Sequence, residues 1–264
     1  REFQLDTGSY DLIVNQRFIN HSGRELSIVW ETLVQGDAPF EKSAYARDER
    51  FLIFGYFNPQ YDMDRSYVSA ADAIWSRTDV LDATHKSGRP VWPNAELNNN
   101  AELVWFSVVN RYFGAAIHPV VEMDDQQGVT FTALHNYYKL VTVPIILGEK
   151  GGDQYSDGRK MVLALKSRPF TLAPDQAKAL NLGFFAGPRS SGLFASEPYE
   201  SMGFGEMLVY TLGCTLCTFQ PLAKALLWFL KMLHAVVQDW GVAIILLVCF
   251  VRMVLHPITK RSQI

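Results

Sequence analysis

A single arginine, Arg252, interrupts an apolar run that reads WGVAIILLVCFVRMVLHPITK from Trp240 to Lys260. An unpaired charge in an apolar setting costs several kcal/mol, so it is retained where it has a function or a route to water. Two roles fit. The arginine can snorkel, with its aliphatic stem in lipid and its guanidinium among headgroups. Alternatively, it faces a polar cavity in the cytoplasmic half of a bilayer and attracts anions there. Arg252 lies eight residues before Lys260, about 12 Å along a helix, which is far for a simple snorkel. Position alone leaves both roles open.

Other residues offer weaker chemistry. Cys214 and Cys217 have C-x-x-C spacing, which in an oxidising compartment supports a disulfide or a redox pair. They lack a βαβ context and continue an apolar stretch, so they also read as two small hydrophobes at a membrane edge. Two ligands alone make a poor zinc site, because structural zinc takes four. Cys249 falls inside the apolar run. His118, His135, Glu122 and Asp124 are candidates for acid–base work on a sugar, which needs a histidine and a carboxylate to converge. Their spacing does not bring them together. Tyr45, Arg47, Arg50, Tyr56, Tyr61 and Tyr67 could line a sugar or peptide site, but amphipathic strands and loops with ordinary surface charge are the better reading. No cofactor or metal site is expected.

Two elements must position Arg252. Gly241 to Ile258 is 18 residues, which as a helix at about 1.5 Å per residue gives roughly 27 Å, enough for a thin hydrocarbon core. Trp240 sits at one boundary, where an amphipathic ring favours the headgroup layer. Lys260 and Arg261 sit beyond the other and mark it as cytoplasmic, so residues 1–239 are expected outside the cytoplasm. The preceding stretch is amphipathic. Lys224, Lys231, His234 and Gln238 share one helical face, and Leu222, Leu226, Phe229, Leu230, Leu233 and Val237 cover the other. Such a helix lies in a membrane interface with Lys224, Trp228 and Lys231 near headgroups.

The residues before it read differently. Short runs at Tyr10–Phe18, Leu26–Val34, Leu103–Val109, Val129–Leu134, Leu140–Leu147 and Met161–Leu165 alternate or are apolar, and turn signals such as Ser22-Gly23 and Asp157-Gly158 separate them. That spacing predicts a mainly β, antiparallel sandwich. A net charge of -3, with 19% charged residues, offers no basic surface for nucleic acid.

Several strings carry a resemblance. Gln220-Pro221-Leu222, the Trp228 and His234 region, Asp239-Trp240-Gly241, Val251-Arg252 and Pro257-Ile258-Thr259-Lys260 resemble the YidC/Oxa/Alb family of membrane protein insertases. Trp105 to Pro119, Lys166-Ser167-Arg168-Pro169 and Phe184 to Pro188 resemble the periplasmic domain of its bacterial branch. The resemblance implies that client transmembrane segments are inserted into the bacterial inner membrane, alone or beside the Sec translocon, without nucleotide hydrolysis. It implies a hydrophilic groove lined by one arginine on the first core helix, a position that Arg252 occupies. That residue would attract acidic or polar client groups and shorten the hydrophobic path a client crosses. The partners implied are nascent membrane proteins, the Sec translocon and lipid; the protein is then no enzyme.

The resemblance also implies an organisation: a periplasmic β-supersandwich of galactose-mutarotase-like kind over 1–195, a connecting segment at 196–218 and an interfacial helix at 219–239. A transmembrane helix follows at 240–259 and the start of a cytoplasmic region at 260–264. Arg1 is not a Met, and Ile264 falls where a cytoplasmic hairpin and further core helices are expected, so the chain reads as a fragment in which ribosome contact has no test. Two other functions fit the residues: a single-pass anchor for a β-domain that binds carbohydrate or protein, and a mutarotase-like enzyme.

Overall fold

The computed structural model describes residues 1–5, 7–38, 50–57, 74–87, 102–124, 128–134, 138–147, 159–209 and 220–261. They divide into two compact units, Arg1–Leu208 and Val209–Ile264. The Cys214–Cys217 pair, His135, and Tyr45, Arg47, Tyr61 and Tyr67 lie outside the described residues.

The first unit is built on antiparallel strands. Seven of them form one sheet: β1 (Glu2–Leu5), β2 (Asp11–Asn15), β6 (Phe51–Phe57), β7 (Ile74–Ser76), β8 (Glu102–Val109), β9 (Phe113–His118) and β16 (Leu182–Pro188). Their order is β1-β2-β16-β9-β8-β6-β7. A second sheet has the order β12-β13-β5, from β12 (Tyr138–Leu147), β13 (Lys160–Ser167) and β5 (Glu31–Gly36). Three short pairs complete the set: β4 (Leu26–Ile28) with β14 (Phe170–Leu172), β3 (Arg17–Ile19) with β15 (Ala177–Ala179), and β10 (Val121–Asp124) with β11 (Gly128–Phe131).

Period-two patterning explains where the core lies. Met161, Leu163 and Leu165 alternate along β13 and meet Leu52, Phe54, Phe106, Val108 and Ile117 of the large sheet in one buried cluster. The interior strand β8, between β9 and β6, is covered on both faces: its other side carries Trp105, which is fully buried. The Trp105 indole donates to the carbonyl of Met202 at 2.7 Å and packs edge-on to Phe204 at 5.4 Å. A Cβ at Gly55, opposite Trp105 in the register, would overlap that ring, so only glycine fits there.

Between residues 40 and 100, outside the runs named above, lie β6, β7 and a helix, α1 (Arg77–Ser87). Helix α1 starts where the Ser76 hydroxyl accepts the Asp79 N–H at 3.1 Å, a first-turn cap. Its buried Arg77 donates Nε–H to Asp37 at 2.9 Å, and Val80 and Leu81 join the core cluster. Weak amphipathicity and the strand–helix switch within a few residues hid this element.

The second unit contains α3 (Gln220–Val237) and α4 (Trp240–Arg261). A short helix, α2 (Ser191–Phe194), belongs to the first unit. Among the described residues no helix is long and apolar enough to cross a membrane, so the bilayer span expected at 240–259 is not an observed feature of the described part of α4.

Candidate functional site

The turn between α3 and α4 is fully specified by local chemistry. Gln238 adopts a left-handed conformation, φ 58°, and donates its N–H to the His234 carbonyl at 2.7 Å, which closes α3. The next residue, Asp239, accepts the Val242 N–H on its carboxylate at 3.0 Å and caps α4. His234 stacks on Trp240 with centroids 3.7 Å apart and an interplanar angle of 15°. His234, three residues after Lys231 on α3, is half-buried against Trp240.

Packing of the two helices uses one side of each. Phe229 meets Phe250 at 4.8 Å, and among the described side chains of α4 Ala243 is buried and Leu247 and Val251 are half-buried. Around the rest of α4, Val242, Ile244, Ile245, Leu246, Val248 and Met253 are exposed. On α3, Trp228, Met232 and Val236 recur every four residues and are exposed, Trp228 to 66% and Val236 to 78%. Lys231 is exposed beside them; Lys224 lies on α3 with its side chain outside the described set. A helix that is apolar around its circumference belongs inside a larger assembly or in lipid.

Arg252 is exposed, and among the described residues no carboxylate pairs with it. Cys249 is a free, exposed thiol three residues earlier. His256, which sequence reasoning did not single out, is exposed four residues later. Its signal was its i+4 spacing from Arg252 within the same helix.

In the first unit the sequence candidates do not converge. His118 is buried, with Nδ1 2.8 Å from the Pro119 carbonyl and Nε2 3.3 Å from an Asp11 carboxylate oxygen. The other Asp11 oxygen accepts the Tyr199 hydroxyl at 2.8 Å. Burial and the neighbouring carboxylate of Asp11 push the Tyr199 phenol well above the usual range. Phe204 lies edge-on to His118 at 5.7 Å, and a Cβ at Gly183 would overlap the imidazole. This ring is packed and partnered. Glu122 is exposed on β10, where it lines a cavity of about 380 Å³ with Thr130 and Asn181; Asp124 ends the same strand. A more apolar cleft of about 510 Å³ lies between Tyr10, Phe113 and Phe184.

No family model matches the chain. Curated relatives do. A protein of Thiobacillus denitrificans named Membrane protein insertase YidC is 25% identical over 261 residues, 98% of this chain and 38% of that protein. Proteins of the same name from Anaeromyxobacter dehalogenans and Xanthomonas oryzae pv. oryzae are 40% identical over 87 residues and 30% identical over 104. Those two alignments cover 33% and 39% of this chain, and 15% and 17% of the relatives. The chain therefore spans well under half the length of the curated relatives it matches.

Proposed function

We propose that this chain is a portion of a YidC-like membrane protein insertase, which helps integrate and fold the transmembrane segments of client proteins in a bacterial inner membrane. One observation carries the reading: α4 exposes apolar side chains around most of its circumference, and the same surface bears Arg252 without a carboxylate partner among the described residues. The similarity to proteins named as insertases supports it.

In this proposal α4 crosses the bilayer with Arg252 on a client-facing groove, and α3 lies in the interface with Lys224, Trp228 and Lys231 near headgroups. Trp240 sits at the boundary between them. The first unit is a periplasmic β-supersandwich, the C-terminus is cytoplasmic, and clients arrive as nascent chains, alone or from the Sec translocon. Arg252 acts by electrostatics: a guanidinium in a low-dielectric wall attracts acidic or polar client groups and keeps the groove hydrated. No bond to the client forms or breaks.

The test is made in the full-length protein. Arg252→Ala is expected to impair insertion of some clients several-fold, and Arg252→Lys to be milder because it keeps the charge and loses the planar fork. Normal insertion of every client by a stably expressed alanine variant would contradict the assignment.

A second reading, an anchored β-domain that binds a carbohydrate or protein, is favoured by the cleft of about 510 Å³, whose walls include Tyr10 and Phe113. Substitutions there that abolish function while Arg252→Ala is silent would favour it.

A further inference from the structure

Beyond Trp240 at its first position, the described side chains of α4 that donate strong hydrogen bonds are Arg252 and His256. They lie four residues apart, so they share one face with Cβ atoms about 5–6 Å apart. Both are exposed, and no described group is bonded to either. Cys249, three residues before Arg252 and also exposed, extends the same stripe. The remaining exposed residues of this helix from Val242 to Met253 are apolar.

We infer that His256 is a second anion-recognising residue beside Arg252, and that the pair binds the carboxylate of an acidic residue in a client polypeptide. This rests on the insertase reading and adds to it a residue and a ligand geometry. A carboxylate has two oxygens with about four lone-pair directions. The Arg252 fork takes one part of that set, and the His256 imidazole, which carries at least one N–H in either protonation state, takes another. Bonds of this charge-assisted kind are roughly twice as strong as neutral ones.

Depth selects the polypeptide over a lipid phosphate. Arg252 is twelve residues from Trp240 and eight from Lys260, about 18 Å and 12 Å along the helix. Phosphates lie at the ends of a spanning helix. His256 is nearer the Lys260 end, four residues or about 6 Å away. In the proposed span a carboxylate that bridges it to Arg252 therefore sits about 6–12 Å inside that end, a depth to which a chain in transit can carry it.

The experiment uses the full-length protein as sole copy in cells, with two model clients that differ by Asp or Asn at one site in the translocated segment. Protease accessibility reports insertion, and oxidative crosslinking of Cys249 to a client cysteine beside that site reports passage. His256→Ala is expected to lower insertion of the Asp client about five- to ten-fold and leave the Asn client within about two-fold. His256→Gln, which keeps an N–H donor, restores much of the difference. Equal loss for both clients assigns His256 a structural role and overturns the inference. So does an effect that follows anionic lipid content rather than the client, which assigns the site to lipid phosphate. Unchanged Asp-client insertion with His256→Ala, while Arg252→Ala still impairs it, removes His256 and leaves the insertase reading standing. Absence of both an Arg252→Ala defect and a Cys249 crosslink removes the insertase reading, and this inference with it.

Discussion

Replacing Tyr199 with phenylalanine deletes one hydroxyl and keeps the ring that packs on Phe185 at 5.4 Å and Phe204 at 5.3 Å. The hydroxyl donates to Asp11 at 2.8 Å, and Asp11 also faces His118 at 3.3 Å. The substitution therefore removes one hydrogen bond to a carboxylate from a buried cluster. Such bonds contribute about 1.5–3 kcal/mol, and a unit of this size shifts by roughly 2–4 °C per kcal/mol, so the expected fall in Tm is about 3–12 °C. Thermal unfolding followed by tryptophan fluorescence reads it, with buried Trp105 as a reporter, and urea unfolding gives the same change in kcal/mol. The pH dependence adds an independent signature. The folded phenol titrates above its ordinary value, so the folded state holds a proton that the unfolded state releases. The unfolded phenol begins to lose its proton near pH 10. The stabilisation from Tyr199 is complete below that pH and declines as pH rises further towards the raised folded value. The difference between wild type and Tyr199→Phe isolates this component from other tyrosines. A change under about 0.5 kcal/mol, or parallel alkaline profiles for the two proteins, would refute the argument.

Two further outcomes are expected. Gly183→Ala forces a methyl group into the space of the His118 imidazole, so it should destabilise the first unit by about 1–3 kcal/mol, whereas exposed Gly23, with open space around its Cβ, should tolerate alanine. Changing Lys224 and Lys231 together to Glu should weaken binding of the α3–α4 unit to vesicles rich in anionic lipid at least about thirty-fold, from about 1 kcal/mol lost per lysine. Binding to neutral vesicles should be unaffected, and unchanged binding to anionic ones would mean that α3 packs on protein.

Local pattern explains what sequence reveals of this chain. Polar and apolar positions between Leu222 and Gln238 recur at helical spacing, and α3 occupies Gln220–Val237; the cap that Asp239 gives α4 is seen only in the folded turn. The runs at Leu103–Val109 and Leu140–Leu147 correspond to β8 and β12, and β8 is buried along nearly its whole length, as a continuous apolar strand covered on both faces should be. Long-range pairing leaves no such trace. Asp11 is separated from His118 by 107 residues and from Tyr199 by 188, so neither spacing nor composition points to their cluster. His118 looked like a candidate acid–base group because a lone histidine says nothing about its neighbours; its carboxylate partner turned out to be Asp11 rather than Glu122. The stack of His234 on Trp240 depends on the left-handed turn at Gln238, which helical periodicity does not foresee. His256 was within reach of sequence reasoning, one helical turn from Arg252.

The central claim is that the Arg252 face of α4 lies on a client's path. Its most direct test places a photoreactive amino acid at Cys249, which is exposed and three residues before Arg252 on the same helical face, in the full-length protein during synthesis of a small membrane protein. Crosslinks to the nascent chain that appear as its translocated segment emerges are the result predicted here. Crosslinks to lipid alone, in a well-expressed and stable protein, would contradict the claim and return Arg252 to the role of a snorkelling anchor residue.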